Sequence, residues 1–255
     1  MSGCRLEARA ITKSFGGVTA VDNVSFTAEA GSITGVVGPN GAGKTTLFNL
    51  LTGVYAADGG QLVIGGTTVA RPGWQPHRIA RLGVARTFQS ARVFPNLDVF
   101  DNVLVGAENA VAADARNQGK RRRGKPRAEL TAEVTALLAA LGLAERARDP
   151  AATLPAGSQK VVELARVLLA RPRVLLLDEP ASGLSEAETS RLADILVAVR
   201  GLGITVVLVD HNLRLVMGIC DKVVVMDAGR VIAEGDPGTV QADPAVRAAY
   251  LGASE

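Results

Sequence analysis

The run Gly38-Pro39-Asn40-Gly41-Ala42-Gly43-Lys44-Thr45-Thr46 fits the spacing G-x-x-x-x-G-K-[ST] at every fixed position. The residue types follow from phosphate chemistry. Glycines let consecutive backbone N–H groups curl around phosphate oxygens. The N-terminus of a following helix adds its positive end. Lys44 can reach the β and γ phosphates, and the Thr45 hydroxyl can ligate Mg²⁺. These nine residues therefore predict a site for a nucleoside triphosphate with its magnesium ion.

A second constellation completes that chemistry. Val174-Leu175-Leu176-Leu177 reads as a buried strand, with Asp178 and Glu179 emerging at its C-terminal end. Ligands of open α/β sheets bind at that end. Asp178 suits Mg²⁺ held through water, and Glu179 is placed to orient or polarise an attacking water. His211 follows Asp210 and the strand Ile204–Val209. A neutral imidazole there can donate to a γ phosphate. Gln89 closes the strand Val84–Phe88. Its carbonyl could face a metal and its amide a water. His77 has no such context and reads as a surface residue.

The elements that must position these groups alternate in type. Leu6–Ile11, Val24–Ala28, Ile33–Val37, Gln61–Ile64, Lys222–Met226 and Arg230–Glu234 carry strand patterns. Asp227-Ala228-Gly229 marks a hairpin between the last two. Lys44–Leu51, Gln159–Ala170, Glu186–Arg200, His211–Ile219 and Pro244–Tyr250 read as helices. Leu192, Ile195, Leu196 and Val199 repeat at i, i+3, i+4, i+7 in one of them. Strands separated by helices predict a mostly parallel sheet with helices on both faces. From Phe100 to Leu154 no strong strand signal occurs. Val99–Asn109 and Glu129–Leu141 look helical, which predicts a helical subdomain inserted into an α/β core.

Composition narrows the class. Hydrophobic residues make up 47% of the 255, enough for a sizeable core and too many for a disordered chain. Two cysteines, Cys4 and Cys220, form no disulfide framework and suggest a reducing compartment. The net charge of +3 is local. Lys120, Arg121, Arg122, Arg123, Lys125 and Arg127 lie within eight positions, and without them the charge is −3. The patch reads as a loop facing solvent, a partner or membrane headgroups, and no nucleic-acid partner is expected. No apolar run reaches the 18 or so residues of a membrane helix, and Met1–Ala10 lacks a signal-peptide core.

Taken in order, these motifs resemble the nucleotide-binding subunit of ATP-binding-cassette transporters over nearly the whole chain. Phe15 resembles the aromatic that stacks on adenine, with Val21 near the base or ribose. Leu154-Pro155-Ala156-Gly157-Ser158-Gln159 occupies the signature position, normally Leu-Ser-Gly-Gly-Gln. There Gly157 and Ser158 would meet the nucleotide of a second subunit. Pro155 replaces the signature serine, and Ser158 stands where glutamine is usual. Ala181-Ser182-Gly183-Leu184-Ser185 sits at the D-loop and ends in serine instead of the common aspartate. By the same resemblance Gln89 joins Mg²⁺ and the lytic water to a membrane partner. Lys44, Gln89, Glu179 and His211 are then the catalytic set, and Thr45, Gln89 and Asp178 the metal set.

The implied fold is α/β, a P-loop NTPase core of ATP-binding-cassette type with an N-terminal antiparallel β element and an inserted helical subdomain. Residues 1–88 and 159–235 would form the core and 89–158 the helical subdomain. The basic loop would be 119–127 and the helical tail 236–255. Phe15-Gly16-Gly17-Val18-Thr19-Ala20-Val21, Thr87-Phe88-Gln89, Ile232-Ala233-Glu234-Gly235 and Ala249-Tyr250-Leu251-Gly252 are similar to branched-chain amino acid importer ATPases. ATPases of urea or short-amide importers share much of this pattern, and lipopolysaccharide-export ATPases share less. The resemblance implies ATP and Mg²⁺ as cofactors and hydrolysis of ATP to ADP and phosphate. It implies as partners a second nucleotide-binding subunit, identical or not, transmembrane permease subunits and, indirectly, a solute-binding protein. The location would be the inner face of the cell membrane, peripherally from the cytoplasm. Two other P-loop classes fit less well. A DNA-repair ATPase would carry a much larger coiled-coil insertion, and a GTPase an Asn/Thr-Lys-x-Asp stretch.

Overall fold

The computed structural model describes residues 3–69, 74–117 and 126–251. The chain divides into two units. One comprises Met1–Arg86, Arg173–Ser182 and Thr189–Glu255, and the other Thr87–Pro172 and Gly183–Glu188.

The first unit contains two sheets. Strands β1 (Leu6–Phe15), β2 (Val18–Ala28), β4 (Gly59–Ile64) and β5 (Thr67–Val69) form an antiparallel sheet in the order β2-β1-β4-β5. Strands β3 (Ile33–Val37), β6 (Val84–Arg86), β7 (Val174–Asp178), β8 (Thr205–Val209), β9 (Lys222–Asp227) and β10 (Arg230–Gly235) form the second, in the order β10-β9-β3-β8-β7-β6. All neighbours in the second sheet pair in parallel except the β9–β10 hairpin. β3, β7 and β8 are buried along their whole length. This is why they are near-continuous apolar runs and do not alternate.

Adjacent residues of β3 show what covers each face. Val36 joins a core shared with Leu47 and Phe48 of α1 (Lys44–Leu51) and with Leu6 and Ile11 of the antiparallel sheet. Gly35 points the other way, toward Val216 and Cys220 at α7 (Leu213–Ile219), where a Cβ would collide with the Val216 side chain. Helices thus cover both faces of the mostly parallel sheet, as the alternating pattern predicts. The same unit carries α2 (Pro76–Arg81), α8 (Pro237–Ala242) and α9 (Pro244–Leu251).

The second unit is helical. α3 (Val99–Asn117), α4 (Arg127–Ala140) and α5 (Ala156–Leu169) bury Val103, Leu104, Val134, Leu138, Val162 and Ala165 together. Gly106 lets α3 approach α5 closely, since a Cβ there would strike the Arg166 carbonyl. α6 (Glu186–Gly201) starts in this unit and continues in the first. No helix among the described residues is long and apolar enough to cross a membrane.

Several bounds differ from the sequence reading, each for a local reason. The unit boundary falls after Pro172 and not near 158, because α5 packs on α3. α5 begins at Ala156, with Pro155 as its N-cap residue, so Gly157 and Ser158 lie inside its first turn. α7 begins at Leu213 and not His211, because the Asn212 side chain accepts a hydrogen bond from Leu215 N. β6 stops at Arg86, where its ladder with β7 ends opposite Leu176. β5 is too short to show a period. α8 is announced only by Asp236, whose carboxylate accepts from Gly238 N and Thr239 N. Most of the basic loop lies outside the described residues, apart from Pro126 and Arg127 at the start of α4.

Candidate active site

The phosphate loop connects β3 to α1, both of which are apolar and buried. Two of its glycines, Gly38 and Gly43, are required by contact as well as by conformation. Gly43 has φ 94°, and a Cβ there would collide with the Ala20 carbonyl. At Gly38 the obstacle is the Met226 carbonyl. The loop is further fixed by Gly229 N, which donates to Ala42 O at 3.2 Å from the β9–β10 hairpin. An open cavity of about 250 Å³ lies over it, lined by Asn40–Thr46, Ala20, Glu179 and His211.

Lys44 is buried and folds back over the loop. Its Nζ donates to Gly38 O at 2.7 Å and Pro39 O at 2.8 Å. Burial pushes its pKa down, and the nearby Glu179 carboxylate opposes that shift in part. An ammonium held on carbonyls in this way is poised for a more negative partner. Thr45, at the first turn of α1, is exposed at the cavity.

Glu179 follows β7 in a left-handed backbone conformation, φ 48°. For a non-glycine residue this costs about 1–3 kcal/mol and must be held by its surroundings. Here Glu179 N donates to Val209 O at 2.8 Å, and Ser182 N donates to Glu179 O at 3.1 Å. His211 Nε2 lies 3.0 Å from Glu179 Oε1. With Glu179 as a carboxylate, which only accepts, Nε2 is the donor nitrogen. Buried Asp210 fixes both loops. Its Oδ2 accepts from Ala181 N and its Oδ1 from Asn212 N, each at 2.8 Å. The structure therefore brings Lys44, Thr45, Glu179 and His211 around one cavity.

Asp178 is buried at the end of β7 and pairs with Arg86, Nη2 to Oδ2, at 2.5 Å. Arg86 Nη1 also donates to Asn49 Oδ1 at 2.6 Å. Sequence reasoning passed over Arg86 and Asn49. The signal for Arg86 was a charged residue ending a core strand, whereas Asn49 carries no sequence mark beyond its place in a helix. Among the described residues no three His, Cys, Asp or Glu side chains converge. Of the residues the sequence suggests for a cation, Thr45 lines the cavity and Asp178 is held by Arg86. Their hard oxygen donors suit Mg²⁺ when phosphate and water complete its shell.

Phe15 is 42% exposed and meets Tyr55 edge-on, with ring centroids 5.1 Å apart. Lys13 Nζ lies over the Phe15 ring at 5.2 Å. Val21 is wholly buried in the core, so it supports its strand and does not present its side chain to a ligand. Gln89, Gly157 and Ser158 belong to the second unit, with Gln89 exposed and Gly157 buried.

Comparison with known proteins identifies the family and the fold. The sequence profile of the ABC transporter family matches residues 21–182. A profile for the branched-chain amino acid ATP-binding cassette transporter matches residues 230–255. The high-affinity branched-chain amino acid transport ATP-binding protein BraF of Pseudomonas aeruginosa is 39% identical, over 99% of each chain. Its counterpart LivG of Escherichia coli strain K12 is 37% identical, over 99% of each. A nucleotide-free ATP-binding cassette from an ABC transporter superposes with TM-score 0.81 at 27% identity, covering 97% of this chain and 98% of the other. The ADP conformation of an ATP-binding cassette superposes with TM-score 0.82 at 29% identity, over 99% of each. With the phosphate loop, the Asp178-Glu179 pair and His211 in place, the chain belongs to the ABC transporter family and is one of its ATP-binding-cassette ATPases.

Proposed function

We propose that this protein is the energy-coupling ATPase subunit of an importer for branched-chain or other hydrophobic amino acids, peripheral on the inner face of the cell membrane. The observation that carries the catalytic reading is the Glu179–His211 contact at 3.0 Å on the wall of the phosphate-loop cavity. The solute class rests on what the relatives named above transport.

ATP would bind with its phosphates on Gly38–Thr46 and its base against Phe15. Lys44 leaves the carbonyls of Gly38 and Pro39 and turns to the β and γ phosphates. Thr45 and Asp178 would hold Mg²⁺, with the Gln89 carbonyl as a further candidate ligand. A magnesium ion held there would supply positive charge against the negative charge that develops on the transferred phosphoryl group. Glu179 accepts a hydrogen bond from the water that attacks the γ phosphorus in line with the leaving ADP oxygen. His211 steadies that carboxylate and can turn Nε2 to the γ phosphate. Gly157 and Ser158, in the first turn of α5, offer N–H groups to the nucleotide of a second subunit. Closure of the two subunits excludes water and completes the electrostatic clamp. Permease subunits would receive the motion near Gln89, and a solute-binding protein would deliver cargo to them.

Reconstitution with its permease and solute-binding partners in proteoliposomes tests the reading. ATP-dependent leucine uptake that stops with Glu179→Gln is the expected result. Uptake of urea or a short amide without leucine would replace the solute class and keep the ATPase.

A further inference from the structure

Arg86 has no part in the chemistry described above, yet it is the direct partner of the candidate metal carboxylate. Its side chain is 11% exposed and that of Asp178 is 9%. One end of the guanidinium bonds Asp178 Oδ2, and the other bonds Asn49 Oδ1 on α1, one helical turn beyond Thr45. The planar fork of arginine spans two such acceptors at once, and its charge is permanent. A carboxylate this buried needs a partner, because desolvating an unpaired charge is costly. Arg86 is that partner.

We propose that Arg86 is a positioning residue and the resident counter-ion of Asp178, and that it makes metal binding at this carboxylate conditional on nucleotide. The proposal rests on the reading of Asp178 as a Mg²⁺ carboxylate. A divalent cation approaching alone meets a carboxylate already neutralised by a fixed positive charge, and the two cations repel. Phosphate oxygens arriving with ATP supply the negative charge that offsets this repulsion. The carboxylate is meanwhile held by one oxygen, ready to face the ion or its water shell with the other. Free Mg²⁺ in the cell then cannot occupy the site ahead of ATP.

Thermal unfolding of the nucleotide-free protein in EDTA and in about 10 mM Mg²⁺ tests this, since a ligand of the native state raises its Tm. Wild type should unfold within about 1 °C under both conditions. Arg86→Met should unfold lower in EDTA and gain about 3 °C or more from Mg²⁺. Arg86→Lys keeps the charge and should respond as wild type does. Adding Asp178→Asn to Arg86→Met should remove the gain. No Mg²⁺ gain in Arg86→Met, or an equal gain in wild type, overturns the proposal. Should Arg86→Met not fold, Asn49→Ala frees one end of the guanidinium. A Mg²⁺ gain between those of wild type and ~3 °C then supports the proposal, and its absence rejects it. Mg²⁺-dependent tightening of a non-hydrolysable ATP analogue, lost in Asp178→Asn, tests the underlying reading separately. If that tightening survives Asp178→Asn, it is the metal assignment that fails.

Discussion

A Cβ on Gly157 would stand inside 3.0 Å of Glu188 Oε1. The other oxygen of that carboxylate accepts from Ser185 N at 2.9 Å and Ser185 Oγ at 2.8 Å. Gly157, at the proposed signature position, is thus already packed, within its own chain, on the turn at Ser185 that opens α6. Its lack of a side chain serves this contact as well as the proposed approach of a second subunit's nucleotide. Any substitution at 157 therefore has two ways to act, and an aspartate would add charge repulsion to both.

The two effects can be separated. Gly157→Ala should cut transporter-coupled ATP hydrolysis about 3-fold, because the end of the Glu188 side chain must shift from its Ser185 partners, while ATP affinity stays within ~3-fold. Gly157→Ala with Glu188→Ala should recover much of that loss. Gly157→Asp with Glu188→Ala should not, because an acid would still face the partner's γ phosphate. Coupled ATPase rates and nucleotide binding on the three variants give the answer. Full hydrolysis by Gly157→Asp would remove Leu154–Gln159 from the signature role.

Glu179→Gln should bind ATP nearly as wild type does and lose turnover by at least ~10²-fold, the usual scale of a general base. His211→Ala removes the 3.0 Å partner of Glu179 and should also lower kcat more than it raises KM. Single-turnover hydrolysis beside equilibrium ATP binding checks both. A Glu179→Gln enzyme with wild-type turnover would reject Glu179 as the base.

Lys44 gives ATP binding a pH dependence of defined sign. Burial lowers its pKa from the ordinary lysine value of 10.5, so its proton leaves earlier in the folded state. Between the lowered value and 10.5 the unfolded chain binds more protons, and the contribution of this group to stability rises with pH across that window. ATP prefers the ammonium, so its affinity should fall across the same window. Titrating a non-hydrolysable analogue from about pH 8 to pH 10 measures it. Lys44→Arg keeps its charge and should show a flatter profile. Equal slopes for the two proteins would show that another group sets the pH response.

The half-exposed Phe15 ring should contribute to purine binding without choosing the purine. Phe15→Ala is expected to weaken ATP by about 1 kcal/mol, or roughly 5-fold. Tyr55→Ala, which removes the edge-on neighbour, should weaken it by less. ATP and GTP affinities should agree within ~100-fold. A larger gap in competition binding would reveal a base-edge reader outside these residues.

The residues that line the phosphate-loop cavity were legible in the sequence because each belongs to a local pattern. Gly38–Thr46 lies in one run, where backbone contacts exclude a side chain at Gly38 and Gly43 and a positive φ favours glycine at Gly41. Asp178 ends and Glu179 follows one fully buried strand, and His211 comes just after another, so an apolar run closed by polar residues marked the end of the sheet where ligands bind. Helix starts were less legible because caps decide them. Asn212 delays α7, and Pro155 lets α5 begin before the signature glycine. Contacts between distant segments were not legible at all. Arg86 and Asp178 are 92 positions apart, and only the β6–β7 pairing makes them partners. Gly157 and Glu188 meet because the segment Gly183–Glu188 folds onto the helical unit, and no period or spacing in the sequence records that. Sequence fixes what must happen within a turn or a strand, where steric and hydrogen-bonding rules act over a few residues. Which buried charge finds which counter-charge is decided by the register of strands brought together from across the chain.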